Sequence, residues 1–478
     1  MADYPKEFKK KRKTVCVQGL GFVGAAMSLA VADASDSNGE PLYNVIGIDI
    51  PNEAGVHKAE TINKGRFPYE SVDLQLKCAQ DRAHQRKNLW ATTEADYFKY
   101  ADVVIVDINL DVQYHEDGSP YMDLSGFKSA MYTIGSLIHA GTLIIVETTV
   151  PPGTCEKVVY PIICEEFERR GIAAGEVRIA HSYERVMPGS QYFDSIVNFW
   201  RVYSGIDAQS SKMCYQFLKS VIHTDKYPLT ELKSTTASET AKVLENSYRA
   251  ATIAFAEEWG RFAEAVGIDL FEVIDAIRMR PTHSNMRQPG FGVGGYCLTK
   301  DPLFAKLAAR DLYGREDLKF PFCTNAVKVN KQMPLVSLEK IQDYYSGDIM
   351  DKKILLLGIS YRQDVGDTRY SPSEVFARAA IDAGAQVIGY DPLVKNWDEC
   401  EKLKGLKVLD ERPVFDNYDV VVFAVPHEEF VNLDKSVYFT KKKMLYVDSN
   451  HVLSDVYCDL IMKNGNALIC IGKGIRGE

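Results

Sequence analysis

The sequence predicts an α/β chain: two Rossmann-like parallel-sheet domains joined by a helical middle domain with one long central helix. Three observations lead there. Short Val/Ile-rich runs alternate with helix-spaced segments up to about residue 225. An unbroken three-and-four spacing of apolar residues then runs from Ser234 to Val266, and the strand-and-helix alternation resumes from about residue 336. Strands alternating with helices imply a parallel sheet covered on both faces. The expected domains are residues 1–225, 226–335 and 336–478, and a chain of 478 residues is too long for one ordinary domain.

In the first segment TVCVQGL reads as a strand, GAAMSLAVADA as a helix and YNVIGIDI as a second strand. DVVIVDI and GTLIIVETTV repeat the pattern, and VRIAHSYERVMPG continues it. From Ser234 to Val266 there is no proline and no glycine before Gly260, and apolar residues fall at 241, 244, 248, 251, 255, 259, 262 and 266. Those steps mark one amphipathic helix. Ser, Thr and Glu crowd its start and Gly267 follows its end, as helix punctuation requires. An apolar stripe on so long a helix suggests a homodimer or higher homo-oligomer. In the third segment KKILLLGISY, AQVIGYDP, DVVVFAV and KMLYVDS are strands, with SEVFARAAIDAGA a helix between the first two.

Composition narrows the class. Hydrophobic residues make up 46% and charged residues 25%, the balance of a soluble globular protein. A net charge of −9 argues against nucleic acid or anionic membranes as partners, while leaving room for an anionic small molecule at helix N-termini. No stretch approaches the roughly 20 apolar residues that cross a bilayer. The basic start, MADYPKEFKKKRKTV, lacks the apolar core of a secretion signal and reads as a solvated tail. The ten cysteines are scattered without a C-x-x-C pair, which predicts reduced thiols of a cytoplasmic protein and no metal site.

Gly19, Gly21 and Gly24 spell G-x-G-x-x-G, enclosing Phe22 and Val23, after a strand and at the opening of a helix. Gly19 permits the tight turn, Gly21 lets backbone approach a pyrophosphate, and Gly24 lets the helix pack closely. Asp49 ends the next strand, 25 residues after Gly24, with the polar insertion SDSNGEPL accounting for the extra length. A carboxylate there accepts from a ribose diol and repels a 2′-phosphate, so NAD is the expected cofactor, not NADP.

The densest signal is QPGFGVGGYCLTKDP, residues 288–302. Four glycines precede Cys297, and Lys300 and Asp301 follow it. A glycine-rich loop admits a ligand close to the backbone, and a thiol beside a lysine has the means to become a thiolate. Lys242, Asn246 and Arg249 form a polar strip on the long helix, which taken alone also reads as a solvated face. Glu184 in HSYERVMPG and Thr149 in VETTVPPGT close strands, where α/β sites sit; a surface carboxylate is the alternative for Glu184.

Together QGLGFVG, ETTVPPGT, AKVLENSYR, PGFGVGGYCLTKD, ISYRQDVGDTRYSP and VDSNHVL resemble the UDP-glucose/GDP-mannose dehydrogenase family, the four-electron nucleotide-sugar dehydrogenases, over nearly the whole chain. The resemblance implies an NAD-binding Rossmann domain, a central dimerisation helix and a nucleotide-sugar domain. It makes Cys297 the nucleophile, Lys242 and Asp301 the polar partners of the reacting oxygen, and Asn246 a sugar-binding and charge-stabilising group. Glu184 serves hydrolysis and Thr149 positions water and borders the cofactor. Lys300 and Arg369 lie near the cofactor, while Arg362 meets the substrate phosphate beside Gly294. Arg185 and Arg249 accommodate the N-acetyl group or phosphates, because ERVMPG and NSYR look like the branch acting on UDP-N-acetylhexosamines (galacto, manno or gluco), which supplies polysaccharide biosynthesis.

The chain departs from the family at two places. The arginine that reaches a neighbouring subunit has no clean match in RPTHSNMRQPG, where Arg280 and Arg287 are the candidates. Basic residues near the end are replaced by Asn450 and His451. UDP-glucose is the alternative substrate. A two-electron hydroxyacid dehydrogenase with a Lys-x-x-x-Asn pair is the rival enzyme, and an NAD-binding sensor without turnover is the rival outside catalysis.

Overall fold

The computed structural model describes residues 5–9, 11–400, 403–438 and 440–474. The chain divides into two compact units, one of residues 1–244 with 303–319, the other of residues 245–302 with 320–478. Each carries one large sheet.

In the first unit the strands are β1 (Lys13–Gln18), β2 (Tyr43–Ile48), β3 (Leu89–Thr92), β4 (Val103–Val106), β7 (Leu143–Val146), β8 (Arg178–His181), β9 (Val202–Gly205) and β10 (Thr230–Glu231). They are ordered β10-β9-β8-β7-β4-β1-β2-β3, while β5 (Val112–Tyr114) and β6 (Pro120–Met122) form a separate antiparallel ribbon. The middle of the large sheet has the doubly wound order 3-2-1-4, with the strand order reversing between β1 and β4. Strands β4 and β7 are buried along their whole length, as strands covered on both faces must be. Their core packs Val15, Val45, Ile105 and Ile145 against Ala26, Leu29 and Ala30 of the helix Phe22–Asp33.

The sheet departs from the predicted parallel pattern at β9, which pairs antiparallel to β8. Between them lies only the short helix Asp194–Val197. A parallel partner needs a crossover of a dozen or more residues, usually helical, to carry the chain back to the opposite edge. Here β9 re-enters from the edge where β8 leaves. Residues 303–319 belong to this unit: Lys157 sits 4.6 Å over the Tyr313 ring, and Arg310 donates to the Pro120 carbonyl.

The second unit's strands, β11 (Lys353–Leu357), β12 (Gln386–Tyr390), β13 (Leu406–Leu409), β14 (Val420–Phe423), β15 (Leu445–Asp448) and β16 (Ala467–Cys470), are all parallel. Their order β13-β12-β11-β14-β15-β16 is the complete doubly wound order. Alternate residues feed its two faces: Ile354, Leu356, Val420 and Val422 enter one core, Leu355, Leu357, Val421 and Phe423 the other.

The long helix, Thr235–Val266, spans 32 residues and begins in the first unit and ends in the second. The predicted stripe lies outside: Leu244, Tyr248, Phe255, Trp259, Phe262 and Val266 are all about half exposed or more. The buried side is made of small and polar residues, Ser238, Glu239, Lys242, Val243, Asn246, Ala250, Ala254 and Glu257. The solvated-face reading of the polar strip therefore fails for Lys242 and Asn246 and holds for Arg249, which is exposed.

Candidate active site

In the first unit the glycine turn fits a dinucleotide. Gly19 has φ +93°, and a Cβ there would overlap the Asp107 carbonyl oxygen. A Cβ on Gly24 would overlap the Gly19 carbonyl oxygen, so only glycine lets the helix start this close to β1. At Gly21 a Cβ would meet nothing within 4 Å, which leaves open space at the N-terminus of the helix Phe22–Asp33 for a phosphate. The Phe22 ring stacks on Tyr69 at 4.1 Å, and the Phe22 carbonyl accepts from the Tyr192 hydroxyl. Val23 sits in the first turn of that helix, half-buried.

Asp49 is buried at the end of β2. Its Oδ2 accepts from the Leu20 amide at 3.1 Å and pairs with Lys58 Nζ at 2.8 Å. The carboxylate is thus tied to the glycine turn on one side and to the helix Glu53–Asn63 on the other. Lys58 is a site residue that sequence reasoning missed: it lies nine residues after Asp49, and no sequence pattern fixes which face of its helix meets the strand.

Thr149 is buried beyond β7. The following loop is held by Glu239 of the long helix, whose carboxylate accepts from the amides of Gly153 (2.5 Å) and Cys155 (2.8 Å). Burial pushes the Glu239 carboxyl up to about 7, despite those amide donors. Glu184 is buried, so the surface-carboxylate alternative is excluded. Lys242 Nζ donates to the Glu184 carbonyl at 2.7 Å and lies 3.5 Å from its Oε1, while the Val186 amide donates to Oε2. Arg185 donates to the Trp200 carbonyl at 2.8 Å and lies 5.5 Å from the Tyr183 ring centre. The first unit therefore joins Glu184 and Lys242 directly.

In the second unit Cys297 is exposed at the end of the glycine loop. Its carbonyl accepts from the Asp301 amide at 2.9 Å and the Lys300 amide at 3.3 Å, a turn that fixes all three residues. Asp301 is fully buried. Its Oδ2 accepts from Asn246 Nδ2 at 2.7 Å and its Oδ1 pairs with Lys300 Nζ at 2.8 Å. Lys300 Nζ also lies 4.3 Å over the Tyr296 ring. The unit thus brings Asn246, Lys300 and Asp301 into one buried network behind the thiol.

The loop leans on ISYRQDVGDTR. A Cβ on Gly294 would sit 2.6 Å from Tyr361 Cβ, and one on Gly295 (φ +79°) 2.7 Å from the Tyr361 ring. Burial, then the nearby Asp367 and Cys297, push the Tyr361 hydroxyl up to about 12. Arg369 is clasped by Asp367 at 2.7–3.2 Å, and its carbonyl accepts from the Gly295 amide. Arg362 is exposed and borders a cavity of 240 Å³ together with Phe291, Gly292, Tyr361, Pro372 and Asn450. Asn450 therefore takes a cavity-wall position, while His451 turns aside and stacks on Phe271 at 4.3 Å. Arg280 and Arg287 are exposed; Arg278 is the one that ties down the preceding segment, through the Met286 carbonyl and Gln288.

A second buried hub behind that cavity was not legible in the sequence. Asp391 Oδ2 accepts from the Ile359 and Ser360 amides, the Ser360 hydroxyl and His427 Nε2, all at 2.8–3.0 Å. His427 Nδ1 in turn accepts from the Asp364 amide. Burial raises the Asp391 carboxyl, but the hydrogen bond from His427 and those from the backbone amides outweigh it and hold the group below its ordinary value. This hub anchors the loop that presents Arg362.

Among the described residues no group of three His, Cys, Asp or Glu side chains is placed to hold a metal ion, and no helix is long and apolar enough to cross a membrane.

Models of the UDP-glucose/GDP-mannose dehydrogenase family match in sequence: its NAD binding domain at residues 13–222, its central domain at 236–332 and its UDP binding domain at 355–455. A UDP-N-acetyl-D-mannosamine dehydrogenase of Methanocaldococcus jannaschii is 29% identical over 466 residues, 97% of each chain. One from Methanococcus maripaludis is 30% identical over 424 residues, 88% of each chain. The crystal structure of an NDP-N-acetyl-D-galactosaminuronic acid dehydrogenase from Methanosarcina mazei superimposes with a TM-score of 0.77 at 26% identity, covering 97% of this chain and 96% of that one. The chain belongs to the UDP-glucose/GDP-mannose dehydrogenase family, the NAD-dependent nucleotide-sugar dehydrogenases.

Proposed function

We propose that the chain oxidises the C6 hydroxyl of a UDP-N-acetylhexosamine to the carboxylate, in two steps, through a thioester on Cys297. The observation that carries this reading is the exposed thiol one turn from the buried Asn246–Asp301–Lys300 network, in a chain whose relatives act on N-acetylated nucleotide sugars. Bound NAD supplies the hydride acceptor, one molecule for each oxidation; the glycine turn and Asp49 hold it.

The chain's own residues do the rest. Lys242 and Asn246 are donors suited to the alkoxide that develops as the alcohol loses its proton. The Cys297 thiolate adds to the aldehyde carbon, and the tethered adduct cannot escape while cofactor exchanges. Oxidation of that adduct leaves a thioester. Glu184 takes a proton from water as it attacks, and Cys297 leaves as thiolate, with Thr149 orienting the water. Arg362 and the 240 Å³ cavity receive the nucleotide phosphates. Gly294 brings backbone close to the sugar; Arg185 and Arg249 bear on its N-acetyl group or phosphates. Lys300 and Arg369 border the cofactor.

The exposed stripe Leu244–Tyr248–Phe255–Trp259–Phe262–Val266 is proposed to be covered by a second copy of the chain. Its scattered cysteines, without a disulfide spacing, support a cytoplasmic site of action. A screen of UDP-sugars for NADH release tests the reading. Two equivalents of NADH per UDP-N-acetylhexosamine support it; one equivalent with a carbonyl product favours the two-electron rival, and cofactor binding without turnover favours the sensor.

A further inference from the structure

The first unit contains a buried acid pair that none of the roles above uses. Val106 of β4 is paired with Val146 of β7, and Val146 with His181 of β8. Asp107, Glu147 and Ser182 are therefore the first residues beyond the carboxyl edge of three adjacent strands. Arg201 immediately precedes β9, which enters from that same edge.

The charges at this edge do not balance. Arg201 is ion-paired to Glu147 Oε1, and both side chains are 1% exposed. Glu147 Oε2 and both carboxylate oxygens of Asp107 are buried and receive no donor. One guanidinium, already committed, faces two carboxylates in a site closed to water. Two adjacent buried carboxyls cannot both ionise at neutral pH, and a shared proton is the standard resolution. Burial first, then the charges of Glu147 and Glu184, push the Asp107 carboxyl well above its ordinary value.

The pair also borders the cofactor crevice. A Cβ on Gly24 would lie 3.2 Å from Asp107 Cβ, and Gly19 turns directly against the Asp107 backbone. Dinucleotides lie across the point where the strand order reverses, here between β1 and β4. Asp49 stands on the β2 side of the glycine turn and suits the adenosine ribose. Asp107 stands on the β4 side, where the nicotinamide half of a dinucleotide so held would lie. That ring is cationic when oxidised and neutral when reduced.

We propose that Asp107 and Glu147 hold one proton between them at the cofactor crevice, and that this proton leaves when NAD+ binds and stays when NADH binds. The equilibrium is protonated protein plus NAD+ giving the NAD+ complex plus a proton, with no bond made or broken in the cofactor. A positive ring opposite the pair favours its anionic form; a neutral ring does not. Asp107, packed behind the glycine turn, is a positioning group whose charge tunes the balance between the two cofactor forms. The other ionisable groups near the pair have assigned partners or are held neutral. Glu184 is paired with Lys242 and Asp49 with Lys58. His181 is pushed down to about 3 by burial and by Lys242, and burial raises the Cys214 thiol.

The inference rests on the NAD site and needs no sugar, so it is tested by binding alone. The full-length chain is titrated with NAD+ and with NADH from mildly acidic to mildly alkaline pH, since burial raises the Asp107 carboxyl above its ordinary value. In the unaltered protein the ratio of NAD+ affinity to NADH affinity rises with pH by about tenfold, the effect of roughly one pKa unit of coupling. In Asp107→Asn, which keeps shape and hydrogen-bonding reach, both cofactors bind and the ratio is flat within about twofold. A flat ratio in the unaltered protein, or the same slope in Asp107→Asn, overturns the proposal. Should the variant not fold, proton release in weak buffer decides: NAD+ releases protons and NADH does not, and equal release by both overturns it. Failure to bind either cofactor would overturn the NAD site as well, whereas binding with a flat ratio sinks this inference alone.

Discussion

Replacing Asp301 by alanine strikes the network behind Cys297 at its centre. The carboxylate is fully buried and serves two partners, Asn246 at 2.7 Å and Lys300 at 2.8 Å, of which Lys300 is itself only 5% exposed. Removing it strips the neutralising charge from a buried ammonium, a change that costs about 3–5 kcal/mol, and takes an acceptor from a buried amide, about 1 kcal/mol more. The expected loss is therefore about 4–6 kcal/mol in the second unit, on the order of a whole domain's margin of stability. Chemical denaturation followed by fluorescence reads it as a lowered midpoint. The double variant Lys300→Met with Asp301→Ala removes the stranded charge too and should recover about half the loss. An Asp301→Ala loss under about 1 kcal/mol, or no recovery in the double variant, would mean that Asp301 does not neutralise Lys300.

Other perturbations separate the remaining parts. Gly21→Ala places its methyl in open space, so the chain should fold normally yet bind NAD at least about tenfold more weakly, whereas Gly24→Ala meets the Gly19 carbonyl and should lower stability as well; thermal melts beside cofactor titrations check the contrast. The Glu239 carboxyl, raised from 4.5 to about 7 by burial, favours the folded state when protonated, so its contribution is full below pH 4.5 and disappears as pH rises through about 7, a change of roughly 3 kcal/mol. Glu239→Gln should flatten that part of the stability–pH curve, and an unchanged slope would sink the assignment. Phe262→Glu in the exposed stripe should shift the chain to monomers in sedimentation analysis without unfolding it; an unaltered sedimentation coefficient would exclude this face as the interface.

Both doubly wound sheets were legible because buried parallel strands read as unbroken Val/Ile runs, as in VVIV and LIIV. The glycine turn was legible for a related reason: its three positions are steric requirements of a local turn. The burial of Lys242 and Asn246 on the long helix was not, because periodicity reports which residues share a face and says nothing about which face the chain itself covers. The buried polar partners were hidden by distance along the chain. Glu239 meets Gly153 and Cys155 more than eighty residues away, and His427 reaches Ser360 across 67. Lys58 lay nearer, nine residues from Asp49, but on a helix whose register against the strand no pattern states.

In the proposed reaction Cys297 carries the sugar between two oxidations. Its most direct test is NADH released per UDP-N-acetylhexosamine consumed, by the unaltered chain and by Cys297→Ala. Two equivalents from the former and no uronic acid from the latter are predicted; full uronic acid production without the sulfur would exclude a thioester on Cys297.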